Sequence, residues 1–115
     1  MSLTEWFKNK FSKSPDAMSL YKRGIHKAKL KDLTGAIEDY SSAIELSGSQ
    51  PNVKAMAIYN RALVFAAERD YDRAIDDLGA VLKMRDAPAD VKAAAKQKLS
   101  KIERRTGKGT NSKTD

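Results

Sequence analysis

The chain contains no cysteine. That excludes a disulfide framework, a thiolate nucleophile and any cysteine-based metal site, and it fits a reducing compartment. Histidine is almost as scarce, since His26 stands alone. One imidazole without a second histidine or a cysteine partner gives no metal set and no general base network, so His26 reads as a surface or structural residue. No G-x-S-x-G elbow, phosphate-binding glycine loop or zinc spacing occurs. No apolar run approaches the roughly 18 residues that span a bilayer. The segment from Met1 to Lys13 lacks the apolar stretch of a secretory signal. These absences lead to the expectation of a soluble, cytoplasmic chain that is not an enzyme and carries no cofactor.

What is present is ordinary in amount and uneven in placement. Of 115 residues, 41% are hydrophobic and 32% charged, with a net charge of +7. This length and balance point to one domain with a modest core. Residues 1–31 carry eight basic and two acidic side chains, residues 32–90 six and eleven, and residues 91–115 eight and two. A basic–acidic–basic layout bears on partners more than on fold.

A repeat runs through the middle of the chain. Residues 17–25 read AMSLYKRGI and residues 55–63 read AMAIYNRAL, an offset of 38. The same offset carries Ala28 to Ala66, Asp32 to Asp70, Ala36 to Ala74, Ile37 to Ile75 and Asp39 to Asp77. A partial third copy begins where Val53-Lys54-Ala55 maps to Val91-Lys92-Ala93. Each unit reads as two helices. In the first, Ser14 is the expected cap, and Pro15 suits a first turn where a missing N–H costs nothing. Met18, Leu20, Tyr21, Ile25, Ala28 and Leu30 recur at helical spacing, with Lys29 and Lys31 in the last turn to match the helix dipole. Asp32 then caps a second helix whose apolar face holds Leu33, Ala36, Ile37, Tyr40, Ala43 and Ile44, and Gly48 ends it. In the second unit Pro51 opens, Asp70 caps, and Asp86 to Pro88 closes. A last helix runs from about Pro88 to Arg105 and stops at Gly107. Its apolar positions are Val91, Ala95, Leu99 and Ile102.

These units resemble tetratricopeptide repeats, in the bacterial style with a Tyr-Asn-Arg-Gly-like segment. Here that segment is Tyr21-Lys22-Arg23-Gly24 and Tyr59-Asn60-Arg61-Ala62. The downstream signature stands as Asp32-Leu33-Thr34-Gly35-Ala36-Ile37-Glu38-Asp39-Tyr40 and Asp70-Tyr71-Asp72-Arg73-Ala74-Ile75-Asp76-Asp77-Leu78. The offset of 38 exceeds the family's usual period of about 34, which places an insertion at Ser47–Lys54. The resemblance implies an all-α fold of antiparallel helix hairpins, an α-solenoid, with repeat 1 at about 15–48, repeat 2 at about 51–86 and a capping helix at about 88–105. Gly24/Ala62 and Ala36/Ala74 would then be the small residues where paired helices approach closely, with Tyr40/Leu78 and Leu20/Ile58 filling the space beside them.

The resemblance also implies a function. First helices of successive repeats line a concave surface in this family. Met18, Tyr21, Ile25 and Lys29 would line it in the first unit, and Met56, Tyr59, Leu63 and Ala67 in the second, with Asn60 beside the row. The expected partner is another protein or a peptide held in that groove, or a second copy in a homodimer. The subset that clamps a terminal carboxylate uses Lys, Asn and Arg; Asn60 matches one such residue, but Tyr21 and Ile25 stand where a Lys and an Asn would be needed.

The remaining features carry alternatives. Residues 1–13 form an amphipathic candidate arm, with Leu3, Trp6, Phe7 and Phe11 on one face. It could dock as a cap, self-associate or touch a membrane surface. Lys92, Lys96, Lys98, Lys101, Arg104 and Arg105 make the last helix basic, which opens an electrostatic alternative in which the basic terminal helices bind nucleic acid or an anionic membrane. Arg23 and Arg61 are expected to reach the acids of the second helices, Asp39 and Asp77. The pairs Glu38-Asp39 and Asp76-Asp77 read as a solvated helix face with some dipole matching and not as acid–base machinery. Residues 107–115, rich in Gly, Ser, Thr and Lys, read as a disordered tail.

Overall fold

Three aspartates start three of the helices in the computed structural model, which describes Ser2, residues 15–48 and residues 50–107. Asp16 accepts a hydrogen bond from the Ser19 amide at 2.8 Å and begins α1, Ala17–Lys29. Asp32 accepts from the Gly35 amide at 3.0 Å and begins α2, Leu33–Leu46. Asp70 accepts from the Arg73 amide at 3.3 Å and begins α4, Tyr71–Lys83. Each carboxylate satisfies an amide that the first helical turn leaves without a partner. The helix between them, α3, Pro51–Ala67, opens on proline, which has no amide hydrogen to satisfy. The last, α5, Ala89–Thr106, ends at Gly107 with φ 72°, the left-handed conformation that glycine adopts without strain. Strands are absent among the described residues, and no described helix is long and apolar enough to cross a membrane. The arm carrying Leu3, Trp6, Phe7 and Phe11, and the tail beyond Gly107, lie outside the described residues.

Three expected boundaries are corrected. The cap of α1 is Asp16 and not Ser14, so Pro15 sits ahead of the helix. A carboxylate three residues before a free amide outcompetes the chain geometry that proline alone favours. The helix also closes earlier, at Lys29, which leaves Lys31 beyond the last turn and Leu30 66% exposed. In the second unit α4 stops at Lys83, several residues ahead of Pro88.

The two hairpins turn by one device. Lys31 at φ 67° and Arg69 at φ 64°, 38 residues apart, are the non-glycine residues with positive φ among those described. At the first turn the Asp32 amide donates to the Lys27 carbonyl at 2.9 Å and the Lys31 amide to Ala28 at 3.0 Å; at the second, Asp70 donates to Phe65 at 2.8 Å and Arg69 to Ala66 at 3.0 Å. This pair of bonds reverses the chain just past a helix and satisfies its last carbonyls. The same aspartate that closes the first helix caps the next. Connections this short make neighbouring helices antiparallel.

The helices stack in two layers. Each packs against its neighbour in sequence, and α3 also touches α1 on one side and α5 on the other. No such contact joins α2 to α4, so α1, α3 and α5 share one layer and α2 and α4 the other. The main core lies among α3, α4 and α5, around Ile58, Phe65, Leu78, Val81, Leu99 and Ile102. Smaller clusters around Leu20, Ala43 and Ala57, and around Ala36, Tyr40 and Val64, tie α1 and α2 to α3. Each large side chain fully buried here contributes roughly 1.5–3 kcal/mol. Close approach is provided at Gly24, where a Cβ atom would lie 2.7 Å from the Tyr40 ring.

Candidate functional site

The residues of the expected binding row lie on α1 and α3. Met18, Tyr21 and Ile25 project from α1 and Met56, Tyr59, Asn60 and Leu63 from α3, and all seven are half-buried. The structure joins the middle of the row and separates its ends. Asn60 Nδ2 donates to the Tyr21 hydroxyl at 3.2 Å and to the Met56 carbonyl at 2.9 Å, bridging α3 to α1. The Tyr21 ring lies 6.1 Å from the Tyr40 ring, tilted by 43°. Partial burial raises the Tyr21 pKa, and burial, with the nearby Tyr21, pushes Tyr40 up to about 12. Ile25 packs on the Tyr40 cluster and Tyr59 on the main core. Met18 instead borders a shallow depression with Pro15, Leu46 and Gln50, at the end of α1 away from Leu63.

Paired charges hold each hairpin together. Arg23 Nε and Nη2 donate to the two Asp39 oxygens at 2.8 and 2.9 Å. Arg61 Nε and Nη2 donate to Asp77 at 2.8 Å each, and Arg61 Nη1 donates to Ser41 Oγ at 3.0 Å, reaching across from one hairpin to the other. Two parallel bonds between a guanidinium and a carboxylate are strong and directional. The Arg23 guanidinium holds the Asp39 carboxyl below its usual range, with Lys27 at 3.1 Å assisting. The arginines thus reach the acids as expected. The reading of Asp39 and Asp77 as part of a solvated face is corrected, because both are buried, in the middle of their helices and away from the dipole ends. Their neighbours Glu38 and Asp76 are exposed.

Leu63 opens a second feature. It lines a cleft of about 570 Å³ between α3 and α5, with Ala66, Ala67 and Tyr71 as its apolar surface and Lys98, Lys101, Arg104 and Arg105, around the buried Ile102, as its far wall. An adjoining hollow shares Ala66, Ala67, Tyr71 and Arg105 and extends to Arg69 and Thr106. Extending the 38-residue offset explains the wall. It carries Asn60 to Lys98, Leu63 to Lys101, Ala66 to Arg104 and Ala67 to Arg105. The same face of the layer passes from Tyr21, Ile25 and Ala28, through Tyr59, Leu63 and Ala66, to Gln97, Lys101 and Arg104, turning from apolar to cationic. The basic residues of α5 are legible in the sequence as a stripe, whereas Tyr71 and Ala66 line the cleft without a local signal of their own. The offset applied to α5 was the available signal.

His26 is exposed, and no cluster of His, Cys, Asp and Glu able to hold a metal occurs among the described residues. No family model, curated protein or solved structure matches the chain.

Proposed function

We propose that this chain is a non-catalytic binding module built from two tetratricopeptide-like hairpins and a capping helix, and that it holds a segment of another protein against the face of α1, α3 and α5. The observation that carries this reading is the row itself. Met18, Tyr21, Ile25, Met56, Tyr59 and Leu63 lie on one layer, and all are half-buried. Folding has ordered these side chains and left part of each uncovered. A large apolar row left at the surface is a usual mark of an interaction site. The methionines adapt to different shapes, and the tyrosines add area with a polar tip. Agreement between the two hairpins in their turns, ion pairs and small contact residues supports the repeat reading. The layer in which α3 touches both α1 and α5 supports a continuous surface.

Tyr59 sits near the centre of the row, where single aromatic residues tend to dominate an interface. Tyr59→Ala should weaken the binding of a partner recovered by pull-down by about 2 kcal/mol or more, measured by calorimetry on the purified pair. Binding that survives Tyr59→Ala but disappears as salt is raised would move the site to the basic helix and favour an electrostatic ligand such as nucleic acid or an anionic membrane.

A further inference from the structure

We infer that the cleft between α3 and α5 is the specificity end of this surface and receives an acidic peptide segment of a partner protein, with one aliphatic or aromatic side chain as its anchor. This rests on the reading of the layer as a protein-binding face and adds the chemistry of what is bound. The first observation is the division of the cleft into two walls. Leu63, Ala66 and Ala67 of α3 with Tyr71 of α4 offer apolar surface, and Lys98, Lys101, Arg104 and Arg105 stand opposite on α5, where Ile102 is buried. A volume of about 570 Å³ suits a large side chain and the backbone on either side of it, within the range of sites that take compact ligands.

The second observation is the state of the charges. Arg23, Lys27, Arg61 and Arg73 each lie within 4.0 Å of an aspartate. Among the described residues, the four cations of the cleft have no such partner. The helix dipole accounts for Arg104 and Arg105 in the last turn of α5. It does not account for Lys98 and Lys101, which lie earlier in the helix on the same wall. Four like charges around one cleft repel each other, and an anionic ligand relieves that repulsion. A carboxylate-rich segment matches the wall, and its anchor matches the apolar side. A nucleic acid fits less well. Its phosphates need a long cationic track, whereas residues 32–90 carry eleven acidic against six basic side chains.

The test uses the full chain and a fluorescein-labelled hexapeptide, Glu-Glu-Leu-Phe-Glu-Glu, followed by fluorescence anisotropy at about 150 mM salt. Its companions are a hexaglutamate without the anchor, a lysine counterpart with the same Leu-Phe centre, and a single-stranded oligothymidine. The anchored acidic peptide should bind more tightly than all three. The double variant Lys101→Glu/Arg105→Glu, whose exposed positions leave the core untouched, should lose at least about tenfold in affinity with its helical circular dichroism unchanged. Failure of the acidic peptide to bind, tighter binding of the oligothymidine, or indifference to the double variant would overturn the assignment. The wider reading fails separately. A natural partner that depends on Tyr59 and ignores the double variant would leave the binding face standing and overturn only the acidic cleft. Amide shift changes from the bound peptide confined to α2 and α4 would overturn both.

Discussion

The two hairpins share a plan and differ in their surroundings. In the first, Gly24 meets the ring of Tyr40, and Asp39 is held by Arg23 and Lys27. In the second, Ala62 and Leu78 occupy the equivalent places, and Asp77 is held by Arg61. A smaller ring-side residue with a larger partner has become a larger one with a smaller partner, so the contact is filled in both. Where the first hairpin has Lys27, the second has Phe65, buried and flanked by the guanidinium groups of Arg61 and Arg73 at 5.8 and 5.7 Å. Exposed His26 is replaced by buried Val64. The cause is position. Among the described residues α1 packs against α2 and α3, whereas α3 packs against the other four described helices and buries residues on several faces, from Val53 to Phe65. Local geometry is thus a property of the unit, and polarity is a property of its place in the stack.

The largest expected difference between the hairpins concerns their ion pairs. Asp77→Ala strands Arg61, whose side chain is only 24% exposed, and should cost about 3 kcal/mol, at the lower end for a broken buried pair. Asp39→Ala leaves Arg23, 53% exposed, free to be hydrated, and should cost clearly less. Urea melts of both variants decide the order, and an equal or reversed ranking would break the argument from position.

A second contrast is visible at high pH. Tyr40 titrates at about 12 in the folded chain against about 10 when unfolded. The folded state then holds a proton that the unfolded state has released. Stability should therefore fall as pH rises from about 10 to about 12, by up to roughly 2–3 kcal/mol. The second hairpin has Leu78 at this place and contributes nothing. Comparison of alkaline melts of the parent and Tyr40→Phe should show the larger loss in the parent, with a smaller one left in the variant because burial also raises the Tyr21 pKa.

A third prediction exchanges the contact pair. Gly24→Ala should destabilise by about 1–3 kcal/mol through overpacking against Tyr40. Adding Tyr40→Leu, which recreates the pair of the second hairpin, should restore at least about 1 kcal/mol relative to the sum of the single changes. Additive losses in that double-mutant cycle would show that the two places are not equivalent. The smallest effect should be the same in both hairpins. Lys31→Gly and Arg69→Gly remove a left-handed strain of about 1–2 kcal/mol and add unfolded-chain entropy, for a net gain of about 0.5 kcal/mol each, readable as matching rises in melting temperature.

Much of this was legible in the sequence because it is local. The period of the apolar positions, the aspartate caps at Asp32 and Asp70 and the small residues at Gly24, Ala36 and Ala74 each act within a turn or a helix pair. The Arg–Asp pairs were legible because two positions recur together. What was missed depends on tertiary register or on competition between near neighbours. Asp16 wins the cap from Ser14 by two residues. Lys31 and Arg69 close their helices without the glycine that usually signals such a turn. The burial of Asp39 follows only once α1 lies across α2. The cationic wall facing Leu63 emerges only when α5 is placed beside α3 in the register that the repeat offset supplies.

The central claim is that the layer of α1, α3 and α5 is the working face and the layer of α2 and α4 is not. Site-specific photo-crosslinking tests it most directly. Benzoylphenylalanine placed at Tyr59 in the full chain, and separately at the exposed positions Glu38 and Asp76, is illuminated in an extract of the source cells. A discrete adduct from position 59, with none from 38 or 76, is the predicted result. Adducts from 38 or 76 with none from 59 would contradict it.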